Sequence, residues 1–379
     1  MSAALAPIEA RRAEALDSFR VRGMPHRRFE HWRYSDLRAV LDAGQVAQAG
    51  TARWQISEIP DGVEMFDLSS GGAPEWVVKN LGNIGNRPTM EEASLAFADG
   101  GVALRVPRNR RIVEPVRLQI SHAGNLRVLI VVEDGATVSL SELHTMDAGL
   151  VRNVGVEIAL GEAAEFSHVR CAPPAPKSFN VEHIAVEAGR NARYTAHFGN
   201  FGSRLSRTEL HILLGGEGSE AHLSGVTVLG AELHADVTSH IEHVAGKTLS
   251  TQLFKHVAGG RARAVYQGKI TVREGANGSD SRQTAKALLM SQRAEADLKP
   301  ELIIFADDVK CAHGAAVGDL DADSLFYMRS RGIPEREARR LLIHAFLEEA
   351  VAVIEDGALR DIVWRDVENA LPRAMEAAK

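Results

Sequence analysis

The chain has 379 residues (41.1 kDa), and its 44 Lys and Arg against 50 Asp and Glu give a formal charge of −6 and a pI near 6.2, so its overall field offers no general attraction to nucleic acid. Only Cys171 and Cys311 are present, which excludes a disulfide framework and a four-thiolate metal or cluster site built from one copy, and fits a reducing compartment. The length suits one large elongated domain with appendages, or two or three compact ones, and no stretch approaches a membrane span.

The first residues, MSAALAPIEARRAEALDSF, lack an uninterrupted apolar core and carry Glu9 and Glu14, unlike a secretory signal. With the cysteine usage this sets the expectation of a cytoplasmic protein. Pro7–Arg22 places Ile8, Ala15, Leu16 and Phe19 near one helical stripe, and Gly23–Met24–Pro25 stops it. Residues 1–99 read as an N-terminal subdomain of helical and mixed character. Past Gly100–Gly101 the texture becomes short Val/Ile/Leu runs broken by glycine turns, a strand signal that lasts to about Gly318. Arg105, Arg108, Arg110, Arg111 and Arg117 alternate there with Val, Ile and Pro, as solvated strand and turn positions do. Gly135, Gly161, Gly189 and Gly216 follow apolar runs at spacings of 26–28 residues, which suggests stacked coils. A parallel β-solenoid over residues 100–318 explains both features, because each coil leaves its inward side chains bare until the next covers them. A β-sandwich is the structural rival.

From Asp319 the period turns helical, giving a C-terminal subdomain over 319–379. Asp321 caps a short helix carrying Leu325, Phe326 and Met328, Gly332 ends it, and Pro334 opens the next. Glu335–Ile354 is expected as the longest helix, with Ala338, Leu341, Leu342, Ala345 and Phe346 on one stripe and Ile343, Leu347, Ala350, Val351 and Ile354 widening it. So broad an apolar surface should face more than the end of one solenoid. Gly357 precedes a last helix with Leu359, Ile362, Val363 and Leu371.

Gly246–Lys247–Thr248 looks like the tail of a phosphate loop, but Ile241 stands where the first glycine belongs, so no intrinsic nucleotide site is expected. His168, His183, His197, His211, His222, His234, His240, His243 and His256 recur through the repeats; hydrogen-bonded polar positions explain them more simply than a metal relay. His240 and His243 differ in strand parity and should face opposite sides. The most informative stretch is Lys299–Gly318, KPELIIFADDVKCAHGAAVG. In an extended segment Cys311 and His313 point to one face, roughly 6–7 Å apart along the strand, so both can address one metal, with Asp307 and Asp308 as added oxygen ligands. The plain alternative is a packed thiol beside a turn histidine and turn acids. Two strong ligands leave a metal under-coordinated, which points to a subunit interface for the remainder.

Three blocks carry a likeness to a known family. ELIIFADDVKCAHGAAVGDLDADSLFYMRSRGIPEREARRLLIHAF (301–346), TQLFKHVAGGRARAVYQGKITV (251–272, containing Gln267-Gly268-Lys269-Ile270) and EHWRYSDL (30–37) together resemble the SufB/SufD family of iron–sulfur cluster assembly scaffolds, on its SufD side. Residues 276–292 are looser than the family's glutamine-rich version, and 40–100 match little. The resemblance implies a mainly β protein, a right-handed parallel β-helix flanked by N-terminal and C-terminal helical subdomains. It also implies a non-enzymatic scaffold that pairs with a SufB-like subunit through the β-helix core and engages a SufC-like ATPase through the C-terminal helices, with a homodimer left open when it is alone. Neither a nucleic acid nor a membrane partner is implied. Carried over by motif, His313 is an iron or cluster ligand and Cys311 a neighbouring thiol, with Asp307 and Asp308 admitting iron, for a transient iron or iron–sulfur cluster at a subunit interface. A SufB-type paralogue is the alternative. A carbohydrate-active β-helix enzyme fits poorly, since only 5% of residues are aromatic and available to stack on sugars.

Overall fold

The computed structural model describes residues 6–50, 52–146 and 149–376; the first five residues of the stretch read as unlike a secretory signal lie outside them. The middle of the chain is a parallel β-solenoid of about eight turns with helices at both termini. One sheet runs through β1 (Arg53–Ile56), β4 (Val116–Ser121), β6 (Thr137–His144), β8 (Glu165–Ala172), β10 (Arg193–Asn200), β12 (Glu220–Leu229), β14 (Leu249–Ala258), β16 (Asp280–Leu289) and β18 (Lys310–Gly318). The other runs through β2 (Glu64–Asp67), β3 (Gly101–Val106), β5 (Gly124–Val132), β7 (Val151–Leu160), β9 (Ala175–Ala188), β11 (Ser203–Leu214), β13 (His234–His243), β15 (Arg263–Val272) and β17 (Glu295–Ile304). From β3 onward the strand pairs within each sheet are parallel, as in β8–β10 and β11–β13, which excludes the antiparallel sandwich.

The strands alternate because one face of each sheet lines the lumen. In β6, Val138, Leu140, Glu142 and His144 are buried while Thr137, Ser139, Ser141 and Leu143 are only partly so. One lumen cluster joins residues such as Leu118, Val128, Ile158, Phe166, Ile184, Tyr194 and Ile212 from both sheets. The repeating glycines stack at a coil corner: a Cβ on Gly216 would fall 2.0 Å from Arg190 N and 2.2 Å from Gly189 C, so no side chain fits between successive turns. The period drifts because the coils lengthen, from 28 residues between Glu165 and its partner Arg193 to 31 between Leu249 and Asp280.

The two ends of the solenoid differ. At the first coil, β1 pairs antiparallel with β4 and β2 antiparallel with β3, so the starting edges are covered. Residues 40–100, unmatched by sequence, therefore supply the solenoid's lid. At the last coil, β17 and β18 have no further strand beside them among the described residues.

The terminal helices clasp the outer faces. α1 (Ala6–Arg22) ends where Gly23 N–H bonds Phe19 O and Gly23 turns to positive φ, as the sequence predicts. After it come α2 (Ala43–Ala47), α3 (Glu75–Asn80) and α4 (Thr89–Phe97), and this region packs on the sheet containing β5, β7 and β9. α5 (Ala322–Ser330) is capped by Asp321, which accepts from Ser324 N–H at 2.7 Å. α6 (Glu335–Val351) and α7 (Gly357–Met375) lie on the opposite sheet, where Ile343, Leu347, Val363, Val367 and Leu371 pack on Val169, Cys171, Val226, Val228 and Val257.

Two expectations change here. α7, at 19 residues, is longer than α6 at 17, because a tight turn from Ile354 N–H to Val351 O and the Asp356 cap on Leu359 N–H separate them. The breadth of the α6 surface is partly consumed by the chain itself. Its core stripe is Ala338, Ile343, Leu347, Ala350 and Val351, continued by the buried Ile354 just past its end, while Leu341 and Ala345 are exposed and Leu342 and Phe346 half-buried. Leu341 is exposed, as are Phe326 and Tyr327 on α5, at 73% and 59%.

Candidate functional site at the open coil

The register of β18 on β16 fixes which way its side chains point. Cys311 pairs with Ser281, His313 with Gln283, Ala315 with Ala285 and Val317 with Ala287. All four partners are buried in the lumen, so Cys311 and His313 share the inward face of the final coil. They are half-buried and exposed, respectively, because no further coil among the described residues covers them. Around them Ile303, Ile304, Phe305 and Val317 are 37–61% exposed, an apolar rim on two unpaired strand edges. Cys311 packs with Leu302, Ala306 and Val309 against Ile270 and Val272. Burial pushes its thiol pKa up, Asp280 adds to that, and a backbone bond from Ser281 opposes it. Asp307 and Asp308 lie exposed on the turn between β17 and β18, held where Asp308 O accepts from Gly278 N–H at 2.7 Å. They sit beside the Cys–His step rather than within it. Among the described residues these four do not converge into a three-ligand group, so a complete metal shell needs ligands from elsewhere.

A polar column supports this end from below. Gln252, Gln283 and His313 occupy successive positions of one inward row on β14, β16 and β18. Gln283 Nε2 donates to Tyr266 Oη at 2.8 Å, and Tyr266 Oη and Ser239 Oγ donate to Gln252 Oε1 at 3.1 and 2.6 Å. Gly268 makes the crossing possible, since a Cβ there would lie 1.6 Å from Gln283 Nε2. The neighbouring Gln267 faces outward and donates to His31 O at 3.0 Å. Two of the sequence blocks therefore meet: Trp32 is buried under the Arg207 guanidinium, 4.2 Å from its ring centre, Ser35 donates to Asp236 at 2.5 Å, and Glu30 pairs with Lys299 at 2.9 Å. The EHWRYSDL segment is a clamp on the outer face of β11, β13, β15 and β17.

The recurring histidines do not form a relay. His222 bonds Thr251 and Glu220, while His243 turns inward to Thr248 and Ser250 and His240 turns outward to Thr271, the opposite facing that their parity predicts. His183 and His256 are buried with no hydrogen-bond partner among the described residues.

Two three-ligand groups escaped the sequence reading. Inside the lumen, Glu142, His144 and Glu182 converge, but Arg170 pairs with Glu182 at 2.5 Å and His168 meets the second oxygen of Glu142 at 2.8 Å, so both carboxylates already have partners within the fold. On the outer face, His211, His240 and Glu242 converge. The signal for the second was the 29-residue step from His211 to His240, one coil, with Glu242 two residues on along the same face.

Comparison with known proteins agrees with this architecture. The family model for the SufBD core domain of SUF system FeS cluster assembly matches residues 118–346. An iron–sulfur cluster assembly SufBD family protein of Synechocystis sp. is 31% identical over 299 residues, 75% of this chain and 64% of that protein. The iron–sulfur cluster assembly protein SufD of Escherichia coli is 27% identical over 92% of this chain and 90% of its own length, and SufD of Bacillus subtilis 30% identical over 68% of this chain and 61% of its own. A core match over more than half the chain, on a solenoid with helices at both ends, places this protein in the SufBD family of iron–sulfur cluster assembly scaffolds of the Suf system.

Proposed function

We propose that this chain is a SufD-like scaffold subunit that lends Cys311 and His313, with Asp307 and Asp308 at the margin, to an iron–sulfur cluster forming where a SufB-like subunit docks on its open coil. The cluster is cargo rather than a resident cofactor. One observation carries the reading: the first coil is lidded by β1 and β2, whereas the last exposes a thiol and an imidazole on one face within an apolar rim. A second chain that extends the solenoid would satisfy the free backbone groups of β17 and β18, cover Ile304, Phe305 and Val317, and supply the missing ligands. A second copy of this chain could use the same edge when no SufB-like subunit is present. The exposed Phe326, Tyr327 and Leu341 of the C-terminal helices suit a SufC-like ATPase, which would supply the nucleotide hydrolysis, and the chain itself catalyses no reaction. The cytoplasm is the compartment in which a thiol ligand of this kind stays reduced.

Co-expression with the SufB-like and SufC-like chains of the same organism, followed by complex sizing and anaerobic iron and sulfide analysis, tests this. The double variant Cys311→Ala/His313→Ala should assemble but lose iron and sulfide, Phe305→Asp should fail to pair with the SufB-like chain, and Phe326→Asp/Leu341→Asp should lose the ATPase. Full cluster content in the double variant refutes the ligand assignment, and normal pairing of Phe305→Asp refutes the docking edge.

A further inference from the structure

His211 on β11 and His240 on β13 are direct register partners, their rings 5.2 Å apart, and Glu242 follows on the same outward face. One ligand atom from each lies within 4.8 Å of the others. The remaining polar atoms are held from outside the group. His240 Nε2 meets Thr271 Oγ1 at 3.0 Å, Arg273 holds Glu242 Oε2, and Asn86 N–H reaches His211 Nδ1 at 3.4 Å. What is left, His211 Nε2, His240 Nδ1 and Glu242 Oε1, points inward to a common space: Glu242 Oε1 lies 2.8 Å from the first and 3.8 Å from the second. All three stand on paired strands of a rigid sheet, and the His240 side chain is 25% exposed, so the space opens to water.

We propose that His211, His240 and Glu242 form a second metal site, separate from the open coil, for a divalent first-row cation such as Fe2+ or Zn2+. Two imidazoles and one carboxylate on one side of an ion leave positions for water, a donor set that suits these cations and not Mg2+. Thr271 and Arg273 are the supports that orient the ligands. Coordination through Nε2 moves the His211 proton to Nδ1 and gives up the long contact with Asn86 N–H, the weakest of the surrounding bonds. The Arg273 guanidinium is bonded to Glu242 Oε2, whose charge offsets it, and this leaves Oε1 for the ion. The site lies at the seam where the Gly85–Asn86 loop touches the sheet, a Cβ on Gly85 falling 3.3 Å from His211 Nδ1.

The test uses the full chain carrying Cys311→Ala/His313→Ala, stripped with chelator and titrated with Co2+ by absorption and calorimetry. One equivalent should bind, be displaced by Zn2+ or anaerobic Fe2+ but not by Mg2+, and vanish when His240→Ala is added. Thr271→Val, which keeps every ligand, should weaken binding by about 10–100-fold. Equal unfolding midpoints in chelator verify the fold of each variant. No saturable Co2+ binding in the parent, binding unchanged by both His240→Ala and Thr271→Val, or displacement by Mg2+ overturns the proposal. None of these outcomes touches the open-coil reading, whose readout is cluster content in the assembled complex.

Discussion

Gly268→Ala tests whether the column beneath the open coil is a fitted structure. Gly268 needs no unusual backbone angle; what it provides is space, because a Cβ there would sit 1.6 Å from Gln283 Nε2, 2.7 Å from Gln283 Cδ and 2.5 Å from Tyr266 Oη. The Gln283 amide must withdraw, losing its 2.8 Å bond to Tyr266, and its Oε1 already has no hydrogen-bond partner among the described residues. Crowding a packed interior costs about 1–3 kcal/mol, and a buried amide left unpaired about 1–3 kcal/mol more. The stiffer unfolded chain returns only about 0.4–1 kcal/mol, so the net loss is about 1–5.5 kcal/mol. Urea unfolding, with hydrogen exchange of the β14, β16 and β18 amides, measures it, and protection should fall most in those three strands. In a Gln283→Ala background the same Gly268→Ala change should cost clearly less, because the nearest clash, with the amide, is gone and only the 2.5 Å approach to Tyr266 Oη remains. A loss under about 0.5 kcal/mol in the native background, or an equal loss in both, would refute the steric argument.

Leu347→Ala should destabilise by about 2–5 kcal/mol, since this fully buried side chain lies in the cluster that seats α6 and α7 on β8, β12 and β14. Loss of exchange protection in α6 and α7 ahead of the solenoid is the check. Acid should also weaken the fold through buried histidines. Burial lowers His256 to about 4 and His243 to about 4 from an ordinary 6.5. The unfolded chain then binds more protons than the folded one below pH 6.5, so the stability these groups leave intact at neutral pH is lost progressively as pH falls from 6.5 to about 4. At pH 5 the loss through His256 alone is about 2 kcal/mol. Comparison of urea midpoints at pH 7.5 and pH 5 for the native chain and His256→Met isolates it: the variant should show the smaller drop, and equal drops would contradict the assignment.

Much of this molecule could be read without coordinates, because the cues were local. The Val/Ile/Leu runs and the Gly135, Gly161, Gly189 and Gly216 spacing carry the solenoid, since a corner where backbones touch admits no side chain. Asp321 and Gly332 mark the ends of α5 by capping chemistry, and the two-residue step from Cys311 to His313 already places both on one face. What the tertiary structure alone decided is the other surface each element meets. Residues 40–100 carry no legible pattern because their strands and short helices are held by the solenoid they cover rather than by their own periodicity. The α6 stripe looks uniformly apolar in one dimension, and only packing on β12 and β14 separates the buried Ile343 and Leu347 from the outward Leu341. His211 and His240 become neighbours because one coil happens to span 29 residues there. Cys311 and His313 owe their exposure to the strand that does not follow β18, an arrangement set by where the stack of coils ends.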